Sequence, residues 1–95
     1  MSIENLSNSP APVTTRQIKA ARALLGWSQG DLAERSAVSE PTIARLEAED
    51  GPLGGRPETV TKIINALVAA GIEFILENSG GPGVRQIKRI PSAHR

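Results

Sequence analysis

Ninety-five residues, 39% hydrophobic and 22% charged, suit one small globular domain with tails rather than a disordered chain. The chain has no cysteine, and its single histidine, His94, stands one residue from the end, so no disulfide framework, thiolate metal site, cysteine nucleophile or histidine base is expected. Net charge is only +1 but unevenly placed, because residues 28–50 hold six acidic and two basic groups while basic residues flank them on both sides.

The first thirteen residues, MSIENLSNSPAPV, are rich in Ser, Asn and Pro, lack an apolar period and read as a flexible arm. They also lack the basic-then-apolar pattern of a secretion signal, and no apolar run approaches the roughly 18 residues of a membrane span. Structure is expected to begin at Thr14, an N-cap with Gln17 at capping-box spacing. Ile18, Ala21 and Leu25 then recur at helical spacing, and Gly26 ends that helix. Ser28 caps a short second helix that carries Leu32 and Ala33 and ends near Ser36. Ser39 caps a third, with Pro41 in its first turn, Ile43 and Leu46 facing the core, and an end around Glu49. GPLGGR is a loop. Pro57 opens a fourth helix whose stripe is Val60, Ile63, Ile64 and Leu67, and Gly71 closes it.

From Ile72 the period changes from 3.6 to 2. Ile72, Phe74 and Leu76 alternate with Glu73, Ile75 and Glu77, and NSGGPG forms a turn before a second extended segment. This strand either folds back on residues 84–90 as a hairpin or pairs with its copy in a second chain, since an open edge seeks a partner. The expected fold is mainly α: a compact four-helix domain over 14–71, a β segment over 72–90 used in dimerisation, and a frayed tail at 91–95.

Function is concentrated in Gln29–Ala48. Two short helices joined by Ala37, Val38 and Ser39 make a sharp bend, with small Ala33 at the crossing and Val38 as an apolar plug. The helix after the bend buries one stripe and leaves the other polar. That is a helix-turn-helix pattern, whose second helix enters the major groove of DNA by its N-terminus.

The run ARALLGWSQGDLAERSAVSEPTIARLE resembles the lambda-repressor/Cro-like (XRE) helix-turn-helix proteins of bacteria and phages, a resemblance that covers about residues 14–77. It implies a sequence-specific DNA-binding regulator, a cytoplasmic dimeric repressor; with no nucleophile–base pair or metal cluster in the sequence, neither a cofactor nor enzymatic activity is expected. It also implies that Gln29 meets a backbone phosphate and braces the recognition helix, and that Arg22 and Glu47 form a partly buried ion pair between the first and third helices. Two departures stand out. Ala37 takes a turn position that is commonly glycine in the family, and the acidic Glu47, Glu49 and Asp50 follow where many relatives carry basic residues.

Glu40, Pro41, Thr42 and Arg45 occupy the outward face of the third helix and are the expected base readers. Arginine grips guanine O6 and N7, glutamate accepts from cytosine N4, and proline or a threonine methyl touches the thymine methyl. The plain alternative for Arg45 is an ion pair with Glu49, four residues on. Ser28, Gln29, Ser39, Thr15, Arg16 and Arg56 are the expected phosphate contacts, several of them at helix starts. The two glycine loops lack the lysine and hydroxyl of a phosphate-binding loop and read as turns. A rival reading is an antitoxin or anti-activator whose main target is a partner protein.

Overall fold

A computed structural model describes residues 12–76 and 80–87. Most of the N-terminal arm, residues 77–79 (the end of the first extended segment and the start of the predicted turn) and the tail from residue 88 lie outside the described residues. Four helices, α1 (Thr15–Leu25), α2 (Gln29–Ser36), α3 (Glu40–Glu47) and α4 (Pro57–Ala69), precede the strands β1 (Ile72–Ile75) and β2 (Gly83–Gln86).

The helices start where their caps dictate. At Thr14 the capping box is complete: the Gln17 backbone N–H donates to Thr14 Oγ1 at 3.2 Å, and the Thr14 N–H donates to Gln17 Oε1 at 2.8 Å. Ser28 and Asp31 repeat the arrangement on α2, at 3.0 and 2.9 Å. Gly26, at φ 70°, ends α1 in the left-handed conformation that glycine adopts without a Cβ penalty. Pro57 occupies the first turn of α4, where its missing N–H costs nothing.

The core gathers one stripe from each helix. Ile18 and Ala21 of α1, Leu32 of α2, Ile43 and Leu46 of α3, and Ile63 and Leu67 of α4 are buried, closed by Val38 from the turn and Ile72 from β1. Full burial of such an aliphatic side chain stabilises by roughly 1.5–3 kcal/mol, so these contacts dominate folding. α1 packs on α3, α4 and β2, and α2 packs on α3 and α4.

The C-terminal strands form an antiparallel hairpin in which Ile72 faces Gln86 and Ile75 faces Gly83. Of the two possibilities open in the sequence, the chain folds back on itself, through residues 83–86. Gln17 explains the docking: its Nε2 donates to Ile75 O at 3.0 Å and to Gly83 O at 2.8 Å, tying both strands to α1. Glu73 and Arg85, opposite each other, pair across the exposed face at 3.0 Å.

Three expectations are corrected here. Val13, assigned to the arm on composition, packs against the core, and its carbonyl accepts from Leu53 N at 2.9 Å. α3 stops at Glu47, two residues before the expected end, because the following loop is pinned to the start of α1. The Thr15 N–H donates to Gly51 O at 2.8 Å, and Thr14 bridges Pro52. Thr15, expected to meet a phosphate, is 0% exposed. Its side chain lies inside the domain and its N–H is already bonded, so it offers nothing to DNA.

The Thr15 hydroxyl also lacks a hydrogen-bond partner. A buried hydroxyl without compensation costs roughly 1–3 kcal/mol. Thr15→Val, which keeps the shape and removes the oxygen, is therefore expected to raise stability by about 1 kcal/mol in urea titration. A lower midpoint would mean that the hydroxyl is satisfied. Ala37 stands at φ 62°, ψ 30°, the left-handed conformation expected for this turn. A Cβ there costs roughly 1–2 kcal/mol, so Ala37→Gly, at an exposed position, should stabilise by about 1 kcal/mol after the entropy of the freer unfolded chain is subtracted. A rise in the thermal midpoint checks this.

Candidate nucleic-acid interface

The bend between α2 and α3 is built from short-range bonds. Ser36 Oγ donates to Leu32 O at 2.7 Å and accepts from Val38 N at 3.3 Å, so one hydroxyl closes α2 and starts the turn. Ala37 reverses the backbone and Val38 drops into the core. Ser39 then caps α3, accepting from Thr42 N at 3.3 Å and donating to Thr42 Oγ1 at 2.8 Å. With Ile43, Leu46 and Glu47 buried, α3 turns Glu40, Pro41 and Arg45 to solvent and leaves Thr42 half-buried. All four expected base readers thus lie on the free side of one helix.

A polar network fixes the tilt of that helix. Arg22 of α1 donates from Nε to Glu47 Oε2 at 2.9 Å and from Nη2 to Glu47 Oε1 at 2.7 Å, a two-bond ion pair. Its Nη1 donates to Trp27 O at 2.9 Å, and Gln29 Nε2 donates to Glu47 Oε1 at 2.9 Å. One carboxylate at the end of α3 is therefore held from α1 and α2 together. Burial pushes the Glu47 carboxyl up, but the hydrogen bonds from Arg22 and Gln29, aided by the charges of Arg22 and Lys19, hold it below the ordinary carboxylate range. The bracing role expected of Gln29 is present. One amide N–H is spent on Glu47, which leaves the second amide N–H and the backbone N–H, in the first turn of α2, for an outside anion.

Beside the free face of α3 is a cavity of about 670 Å³, lined by Thr42, Arg45, Leu46, Gly55, Arg56 and Thr59. It brings the base-reading candidates Thr42 and Arg45 against Arg56, which caps the start of α4 without a side-chain bond to it. Among the described residues neither arginine is in an ion pair, so the Arg45–Glu49 alternative is not formed. Two cationic groups and the N-terminus of a helix converge on one polar hollow, an arrangement suited to a phosphate diester. Arg16 is different. It is exposed at the start of α1 but already bonded to Asp50 at 2.9 Å. Its hydrogen bond to Asp50 raises the guanidinium further and lowers the carboxyl, so a phosphate there must replace an existing partner.

The family model described as Helix-turn-helix matches residues 18–67, just over half of the chain. The chain belongs to the lambda-repressor-like (XRE) helix-turn-helix family. No curated protein matches it. In this helix-turn-helix protein α2 and α3 are the two helices of the motif, and α3 stands where the recognition helix stands. The family is one of DNA-binding proteins, and among the described residues no helix is long and apolar enough to cross a membrane. The match spans α1 to Leu67 of α4, and the hairpin lies beyond it.

Residue-by-residue reading missed Gln17 as the anchor of the hairpin. A signal for it was present: Gln17 shares the i, i+3, i+4 stripe of Thr14, Ile18 and Ala21, so a polar side chain pointed inward and required partners there.

Proposed function

We propose that the protein is a cytoplasmic, dimeric transcription repressor that reads a two-half-site operator with α3. One observation carries the reading: α3 presents Glu40, Pro41 and Arg45 to solvent beside a half-buried Thr42, and among the described residues Arg45 is outside any ion pair. Arg45 grips guanine O6 and N7, Glu40 accepts from cytosine N4, and Pro41 with the Thr42 methyl contacts thymine. Phosphates are met by Ser28 and Gln29 at the start of α2, Ser39 at the start of α3, Arg56 at the start of α4, and Arg16 once it leaves Asp50.

The hairpin region supports a two-fold dimer. Val68 and Ile87 are 51% and 52% exposed, and Gly71 links them through hydrogen bonds to Val68 O and from Ile87 N. Among the described residues each strand of the two-stranded sheet also keeps one edge without a ladder partner. Such a dimer spaces two α3 helices for half-sites about one DNA turn apart.

Anisotropy titration of the full chain on duplex DNA from its own upstream region, against scrambled duplex, tests the proposal. Selective binding is expected at two chains per site, with affinity falling by a log–log slope of roughly −0.9 per phosphate neutralised as salt rises. Equal weak binding on both duplexes, with stoichiometric capture of a partner protein, overturns it in favour of an antitoxin or anti-activator. A monomer on DNA overturns the dimer alone.

A further inference from the structure

Gly30, in the first turn of α2, carries no role in anything argued so far, yet it stands against a base-reading candidate. A Cβ built on Gly30 would lie 3.3 Å from Glu40 Oε1 and 3.6 Å from Ser28 Oγ. The backbone of Gly30 is ordinary helix, so it is space, not a left-handed conformation, that the missing side chain supplies. The carboxylate tip of Glu40 lies beside that space, against the first turn of α2.

We propose that Gly30 is a positioning residue for base choice: by leaving a seat at the α2 N-terminus it sets where the Glu40 carboxylate meets the DNA. This rests on the DNA-reading role given to α3 above. A seated carboxylate is an acceptor only. It is repelled by the phosphates on both sides of the groove and by the acceptor atoms that guanine and thymine present, and it gains a bond where cytosine N4 donates. Glu40 thus selects against wrong duplexes as much as for the right one. The selection is sharp only if the carboxylate is held in one place. A methyl group on residue 30 would stand 3.3 Å from Oε1, so the glutamate tip must shift by a few tenths of an ångström from its place. The fold itself is untouched, since alanine suits a helix better than glycine.

The experiment is selection of duplexes from a randomised library by the full-length protein, followed by anisotropy on the selected site and on every single-base variant at the position Glu40 reads. Wild type, Gly30→Ala, Glu40→Ala and the double variant are compared, with thermal melts to establish that each is folded. Loss of Glu40 is expected to cut discrimination at one base pair by roughly fivefold or more. Gly30→Ala should cut it at the same base pair by at least about twofold, the lower end of coupling between touching residues. In the Glu40→Ala background, Gly30→Ala should change base preference no further. Unchanged preference in folded Gly30→Ala, or the same loss with and without Glu40, overturns the inference. If wild type selects no sequence at all, it is the DNA-reading proposal that fails, and the two failures are thereby distinguished.

Discussion

Arg22→Met is expected to cost about 3–5 kcal/mol of folding stability, the usual penalty for leaving one member of a buried ion pair alone. The substitution keeps much of the aliphatic stem and removes three hydrogen bonds, two to Glu47 and one to Trp27 O. Glu47, 3% exposed, then retains only the Gln29 amide. Its charge is stranded inside a domain whose total stability is of the order of 5–15 kcal/mol. Urea titration followed by circular dichroism reads the loss. A cost under about 1 kcal/mol would place the pair in the class of solvated surface bridges.

The same pair sets a pH dependence of definite sign. In the wild type the folded Glu47 carboxyl titrates below its ordinary value of 4.5, so the pair's contribution is complete above that value. It is lost as pH falls through the lower folded value. In Arg22→Met the main cause of the depression is gone and burial is opposed only by the Gln29 hydrogen bond and the Lys19 charge, which raises the folded pKa. The variant then regains stability on acidification, as protonation removes the stranded charge. The deficit between variant and wild type should therefore narrow from about pH 7 to about pH 4. A constant deficit would show that the loss is packing rather than charge.

Arg45→Ala is expected to lose roughly 1–3 kcal/mol on the selected operator and to relax preference at one base pair, leaving the fold intact. The side chain is exposed and, among the described residues, outside any ion pair, so its removal strands no charge and opens no cavity in the core. Arg56→Ala, on the far side of the same hollow, provides the contrast. It should weaken operator and scrambled duplex alike and make the salt dependence shallower by about one unit of slope. The two variants together separate base reading from phosphate binding. Equal loss on both duplexes for Arg45→Ala would move Arg45 to the phosphate group.

Much of the motif is legible along the chain because its bonds are local. The Thr14–Gln17 and Ser28–Asp31 boxes and the Ser39 cap each involve residues no more than three apart. A short run of sequence contains both partners of each, so spacing alone reveals them. The Arg22–Glu47 bridge is different in kind: 25 residues separate its members, and it was legible only through the family resemblance.

What the sequence by itself determined was the order of the helices, their caps, the bend between α2 and α3, and which stripe of each faces inward, since all these follow from backbone geometry and apolar spacing. The tertiary structure decided which polar groups at the surface are free. Thr15 and Arg16 are neighbours of similar promise in the sequence, yet one is sealed in the core and the other is held by Asp50, 34 residues on. It also decided that α3 ends at Glu47, that Gln17 fastens the hairpin, and that Glu40 rests in the space left by Gly30. Each of these depends on the distance between atoms far apart along the chain, a quantity that only the packed core sets.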